Sequence, residues 1–372
     1  MPKNPPLSYS LPGFSPGGYQ HHRRWLANLQ ELGFRWVTFT PTYLVYDEAP
    51  PRIDAGRGPS LRELRDAVAH AVGLGFNVKL EPHVDWETTL TGGPYEWRRK
   101  MYLRPFPEYT QQILAPLLAL LSNVAFKKVD TRLTLGSELD VASLEFANEW
   151  QLLLETLREQ ESGVKIGHKI NHDSLLPSKA VRDVLNEQRG RNGLVPAGRA
   201  GYAQRMTEMN AYLSRLDYVS FSFYPDVRMG RSDEWWREPA QGGQIGDVAE
   251  CFRAKTQELY QQLRNAAGAS PAYSIGEFGI GCTDPARPYH FDAKTFLEPD
   301  GSMSAGAREL RRKYYLGFLD FLKRSANLIG EEPSTFWTVT HYDFLGALEQ
   351  CNMEPFRDDT LRQAIKLYNE EQ

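Results

Sequence analysis

The chain has 372 residues, enough for one large hydrophobic core or two smaller ones. Its composition, 41% hydrophobic and 24% charged, is that of an ordinary globular protein, and a formal charge of −4 argues against nucleic acid or an anionic membrane as the main partner. No run approaches eighteen apolar residues, and Cys251, Cys282 and Cys351 lack CxxC spacing, which excludes a spanning helix, a zinc motif and a disulfide framework from the reading.

Short apolar runs rich in β-branched and aromatic residues alternate with helical patterns. LSYSLPGF (7–14) is the first predicted strand. A helix follows in YQHHRRWLANLQELG, with Trp25, Leu29 and Leu32 at i, i+4 and i+7 and Gly33 as its stop. FRWVTFTPTYLV (34–45) is the second strand. The next helix opens on a capping box, Ser60 with Glu63, and is predicted to bury Leu61, Leu64, Val68 and Val72. NVKLEPHVDW (77–86) is the third strand, and a helix over 107–126 contains Pro116, a predicted kink. RLTLGSELD (132–140) leads into the helix SLEFANEWQLLLETLREQ. VKIGHKINHD (164–173) precedes a broken helical region over 178–215. DYVSFSFYPDV (217–227) is followed by a helix near 246–266, and AYSIGEFGIG (272–281) by one over 304–328. STFWTVTHYDF (334–344) is the last strand, and TLRQAIKLY closes the chain with Leu361, Ile365 and Tyr368 on one face.

Eight alternating strand–helix units predict a parallel sheet with helices outside it, and eight fit a single (β/α)8 TIM barrel spanning residues 1–372. A doubly wound open sheet is the runner-up, but no GxGxxG follows the first strand. No linker or composition shift divides the chain. The extra length follows strands, at 87–106, 228–245 and 282–303, and predicts extended loops at the C-terminal mouth. Those loops hold Tyr95, Trp97, Tyr102, Trp235, Trp236, His290 and Phe291, and such aromatics suit stacking on a flat or sugar-like ligand.

Several strands begin apolar and finish with ionisable residues. The third ends in Glu81, His83 and Asp85 on one face. Glu138 and Asp140 end the fourth, and Lys169, Asn171 and Asp173 share a face of the fifth with His168 opposite. The seventh carries Glu277, and the eighth Trp337, His341 and Asp343. Singly, each is a solvated strand end. Together they read as one pocket, because strand ends converge in a barrel. Glu138 and Glu277 stand three repeat units apart, each after small residues at the end of an apolar run. Glycosidic hydrolysis needs such a pair, one carboxyl to protonate the leaving oxygen and one to attack or to direct water.

These strings resemble the clan A glycoside hydrolases, and within them the family 113 β-mannanases. KLEPHVDW resembles that family's third-strand PHVD segment, LGSELD its acid/base strand, DYVSFSFYPDV its sixth strand, IGEFGIG its nucleophile strand, and the FW of STFWTVTHYDF its eighth-strand tryptophan. The resemblance implies a retaining enzyme acting on β-linked, mannan-type glycans, with Glu277 as nucleophile and Glu138 as acid/base. It also implies that Tyr224 bonds the nucleophile or the sugar, that Trp337 floors the cleavage subsite, and that His83 and Asp85 bind hydroxyls. Trp86 and Asn171 complete the candidate sugar-binding set. No metal or organic cofactor is called for. Three departures stand out: Glu81 where a lysine is expected, Ser137 rather than asparagine before the acid/base, and the TVTHYDF ending.

Two rival readings remain open at this point. A metal-dependent, sugar-isomerase-like barrel would use Glu138, His168, Asp173 and Glu277 as donors. A carbohydrate-binding barrel without catalysis would not need both glutamates. The N-terminus MPKNPPLSYS has no apolar h-region, which predicts a cytoplasmic protein, although a chain trimmed of its signal would read the same way.

Overall fold

The alternation of inward polar and outward apolar residues along each strand builds a closed ring of eight parallel strands wrapped by helices. The computed structural model describes residues 3–46, 52–54, 56–86, 107–125, 128–160, 163–171, 202–223, 271–279, 305–326, 332–337 and 357–372, with isolated positions at 257, 261, 264, 265, 268 and 329. The strands are β1 (Leu7–Gly13), β2 (Trp36–Tyr46), β3 (Arg52–Asp54), β4 (Asn77–Leu80), β5 (His83–Trp86), β6 (Thr131–Ser137), β7 (Lys165–Asn171), β8 (Tyr218–Phe223), β9 (Ala272–Phe278) and β10 (Ser334–Phe336). The ring runs β1-β10-β9-β8-β7-β6-β4-β2, and pairing of β1 with β2 closes it. This is the (β/α)8 barrel that the repeat pattern predicts.

Two details of the third unit differ from the sequence reading. The single strand expected over 77–86 breaks at Glu81 and Pro82, so that β4 pairs the first half of β2 and β5 pairs its second half. Proline brings no N–H to a ladder, which accounts for the break. The short β3 is an antiparallel addition to the end of β2 that the sequence reading lacks. The fourth strand stops at Ser137 rather than Asp140.

The helices are α1 (His22–Glu31), α2 (Leu61–Gly73), α3 (Ala115–Ala125), α4 (Asp140–Glu145), α5 (Ala147–Gln160), α6 (Tyr202–Leu213), α7 (Ala305–Arg324) and α8 (Asp359–Glu370). Ser60 caps α2 through the predicted capping box, and α2 buries Leu64, Ala67, Val68, Ala71 and Val72. Leu61 shares that face but is exposed, as the first residue after the Ser60 cap at the helix's end. The helical segment around Pro116 is not uniform. A short turn (Pro107–Tyr109) and a π-helical turn (Thr110–Leu114) come before α3, and Ala115 N–H reaches back to the Thr110 carbonyl. The proline ring opposes the carbonyl four residues earlier, and the widened turn relieves that clash. In α8, Leu361, Ile365 and Tyr368 are buried on one face as expected, and the Tyr368 hydroxyl donates to the Pro5 carbonyl at 2.9 Å.

The apolar core lies between barrel and helices, where Leu7, Tyr9, Leu11, Val37, Phe39, Val78, Leu80, Leu133, Leu135, Ile166, Val219 and Ile275 point outward. The barrel interior is polar instead. Ser8, Thr38 and Thr335 hydrogen-bond in series, and Thr134 bonds the Tyr218 hydroxyl at 2.9 Å. At the floor, Arg132 Nε donates to Glu332 Oε1 at 2.7 Å, and the guanidinium lies 4.9 Å from the Trp36 ring centroid. A charge buried that deeply needs such a partner, since alone it costs several kcal/mol. No helix among the described residues is long and apolar enough to cross a membrane.

Candidate active site

The end of β9 brings an acidic side chain into the barrel by breaking its own alternation. A register shift lies between Phe221 and Ser222 of β8, where β9 has Gly276 as its extra residue. Such a bulge turns consecutive residues to one face. A Cβ on Gly276 would meet Ser220 Oγ at 2.6 Å and Lys169 Cδ at 3.0 Å, so this face of β9 points inward. Glu277 follows it inward, and its Oε2 accepts a hydrogen bond from Lys169 Nζ. The space at Gly276 is therefore filled by Lys169 and Ser220.

Lys169 comes from the C-terminal half of β7 and is fully buried. Its ammonium also donates to Glu81 Oε1 and lies 3.5 Å from His83 Nε2 and 5.9 Å from the Trp337 ring centroid. The other oxygen of Glu81, Oε2, lies 2.7 Å from Lys79 Nζ, an ion pair off the axis of a hydrogen bond. His83 Nε2 stands 3.4 Å from Glu81 Oε1, and its ring stacks on Trp337 at 5.2 Å and 20°. Lys79, Glu81, Lys169 and Glu277 thus form a buried chain of alternating charge across three strands.

Glu138 sits just past β6 in the left-handed region, at φ 58°. A non-glycine residue holds that conformation at a cost of about 1 kcal/mol or more, and such strain gathers at functional sites. Its N–H is fixed by the Lys169 carbonyl at 2.9 Å. Its charge acts on both Lys169 and Glu277, which places it in the same electrostatic field. Two residues on, Asp140 opens α4 and accepts from both the backbone and the side-chain amide of Asn171, at 3.1 and 2.9 Å.

Burial pushes the Glu277 carboxyl up to about 7; Lys169 pulls it down, while Glu138 and Glu81 add to the rise. Burial raises Glu81 too, but Lys169, Lys79 and His83 outweigh it and hold that carboxyl well below the usual range. Burial lowers Lys169, and Glu277, Glu81 and Glu138 outweigh that, leaving it more firmly protonated than an ordinary lysine. Three carboxyls face two ammoniums here, so full ionisation leaves one negative charge unmatched and favours holding one proton.

Among the predicted residues, Glu138, Glu277, His83 and Trp337 are buried at this end of the barrel, and Asn171 is partly buried on the arm that Asp140 holds. Asp85 is partly exposed at the rim on β5; Trp86 ends β5, and its side chain lies outside the described residues. Tyr224, Asp173, His341 and Asp343 lie outside them too, as do the aromatics of the three long loops and most of 246–266. His168 does not join the site. It faces out between β7 and the helices, bonded to Ser143 Oγ at 2.7 Å and the Tyr212 hydroxyl at 3.0 Å, and burial drives its pKa down to about 3. That removes one donor from the metal-site reading. Glu81, His83 and Glu277 do bring ligand atoms within 4.8 Å of one another, but the Lys169 ammonium is already the cation bonded to both carboxylates. Sequence reasoning missed Lys79 and underrated Lys169. Their signal was two lysines at inward positions of apolar strands, where an ammonium needs a carboxylate.

Neither a family model nor a curated protein sequence matches the chain. Solved structures do. A GH113 β-1,4-mannanase aligns with a TM-score of 0.54 at 15% identity, covering 100% of both chains. A complex structure of a GH113 β-1,4-mannanase gives 0.53, again at 15% identity over 100% of both. A GH5_18 structure from Bifidobacterium longum subsp. longum gives 0.50 at 12% identity, covering 98% of this chain and 79% of the other. The barrel shares its fold with these glycoside hydrolases. In that fold the C-terminal mouth is where sites are built, and Glu138, Lys169 and Glu277 all stand at that end of their strands.

Proposed function

We propose that the protein is a retaining glycoside hydrolase of β-linked, mannan-type glycans or oligosaccharides, with Glu277 as nucleophile and Glu138 as acid/base. The observation that carries this reading is the placement of two buried carboxyls, Glu277 at the end of β9 and Glu138 just past β6, at one mouth of the barrel. Two carboxyls flanking one glycosidic bond can divide the work between a nucleophile and an acid. In the first step a Glu277 oxygen bonds to the anomeric carbon. The glycosidic C–O bond breaks as the Glu138 proton passes to the leaving oxygen. In the second step Glu138 takes a proton from water, the water oxygen bonds to the anomeric carbon, and the bond to Glu277 breaks. No metal or organic cofactor enters either step.

Trp337 is assigned as the floor of the cleavage subsite, with His83 and Asp85 binding hydroxyls of the same sugar. Trp86, Asn171 and Tyr224 are assigned to the surrounding sugar contacts, Asn171 with its amide oriented by Asp140. The mannan-type substrate rests on the GH113 likeness and the sequence motifs.

The test is a panel of nitrophenyl glycosides and polysaccharides, run with and without EDTA. Turnover of β-mannosides unaffected by chelation is expected, with Glu277→Ala and Glu138→Ala lower by roughly a hundredfold or more. Full activity in Glu277→Ala, or complete loss in EDTA, contradicts the reading.

A further inference from the structure

We propose that Lys169 is a positioning residue that anchors Glu277 by charge and direction, and that Glu81, itself held by Lys79, sets how much of the Lys169 charge Glu277 receives. The inference rests on the nucleophile role of Glu277 for its meaning in catalysis, but its geometry stands apart from any substrate. Lys169 Nζ bonds Oε2 of Glu277 on one side and Oε1 of Glu81 on the other. The ammonium is fully buried, so little solvent screens either contact. Lys79 then neutralises the far oxygen of Glu81 at 2.7 Å. One cation is divided between two carboxylates, and a second cation decides the division.

The charged and titratable groups that face Glu277 come from every neighbouring element described. Lys169 is on β7, Lys79 on β4, Glu81 and His83 on the β4–β5 arm, and Glu138 after β6. On β8 the near side chains are Ser220 and Ser222, and just past β10 Trp337, none of them charged. Two of the carboxylates, Glu81 and Glu138, work against ionisation of Glu277, and Lys169 works for it. Lys169 bonds Oε2 of the carboxylate assigned to attack the anomeric carbon. In the second step, when the ester to Glu277 breaks, the returning carboxylate charge meets an ammonium already in place.

This arrangement makes a prediction that simple packing does not, because two neighbouring variants move Glu277 in opposite directions. Lys169→Met removes its cation, and Glu81→Gln gives it the whole of that cation while deleting a repelling charge. The titration of Glu277 is followed by 13C NMR of carboxyl-labelled glutamate, assigned by difference from Glu277→Gln. The midpoint is expected to rise by about one pH unit or more in Lys169→Met and to fall in Glu81→Gln. Midpoints that stay within about half a unit of wild type, or that move in the same direction, overturn the proposal. If Lys169→Met does not fold, Glu81→Gln decides alone, a fall supporting it and a rise or no change overturning it. The readout needs no turnover. Opposed shifts in a protein that hydrolyses no glycoside therefore leave the charge chain standing and remove the glycosidase reading.

Discussion

Taking a carboxylate such as Glu277 out of water raises its proton affinity, and a buried ammonium beside it lowers that affinity again. In Glu277 the rise wins, and the group titrates at about 7. A nucleophile must be ionised, so protonation below that value removes it. The expected profile of kcat/KM therefore climbs with pH through about 7 and falls close to tenfold for each unit below it. A profile flat from pH 8 to pH 5 is the contrary result. His168 shows the other outcome of burial at residue scale. With no carboxylate to share its charge, it stays neutral between Ser143 and Tyr212, next to Lys169 yet on the opposite face of the strand.

At the scale of elements, the site depends on where strands depart from regularity. Glu277 reaches the barrel interior only because β9 bulges at Gly276, and Glu138 is aimed by a left-handed turn after a similar register shift in β6. An alanine at 276 places its Cβ 2.6 Å from Ser220 Oγ and 3.0 Å from Lys169 Cδ, so a neighbour must shift. Gly276→Ala is expected to cost about 1–3 kcal/mol in a urea titration, and adding Ser220→Gly should return part of it. No loss of stability in Gly276→Ala means that the bulge is more pliable than its contacts imply. These departures also mark what the sequence conceals. Glu138 and Glu277 were legible because each is a charge at the end of an apolar run. The inward turn of Glu277 was not, since strict alternation starting from Ile275 sends it outward. Lys169 read as one of three polar residues on a face, because its partners, Glu81 and Glu277, lie 88 and 108 residues away on other strands. Pro116 was visible as an irregularity, but the π-helical turn that precedes it was not, since a missing N–H does not specify its form.

For the whole molecule, the eight-fold repeat was the legible part, because each strand–helix unit carries its own period and stop signals. The closure was less so. Parallel pairing of β1 with both β2 and β10 joins the two ends of the chain, and the Arg132–Glu332 pair ties β6 to the approach to β10 across the floor. Among the described residues, Glu332→Gln leaves buried Arg132 only Asp130, 3.7 Å away and largely exposed, to answer its charge. The expected loss is roughly 3–5 kcal/mol in equilibrium unfolding, and replacing both partners by methionine should cost far less. Equal losses in the single and double variants would contradict a charge-based floor.

The catalytic assignment is tested most directly by trapping the intermediate. Incubation with a 2-deoxy-2-fluoro-β-mannosyl fluoride should add one fluorosugar to the intact mass, carried by the peptide containing IGEFGIG and ester-linked to Glu277. A label on any other carboxyl, or β-mannoside turnover that the reagent and Glu277→Gln both leave untouched, would contradict it.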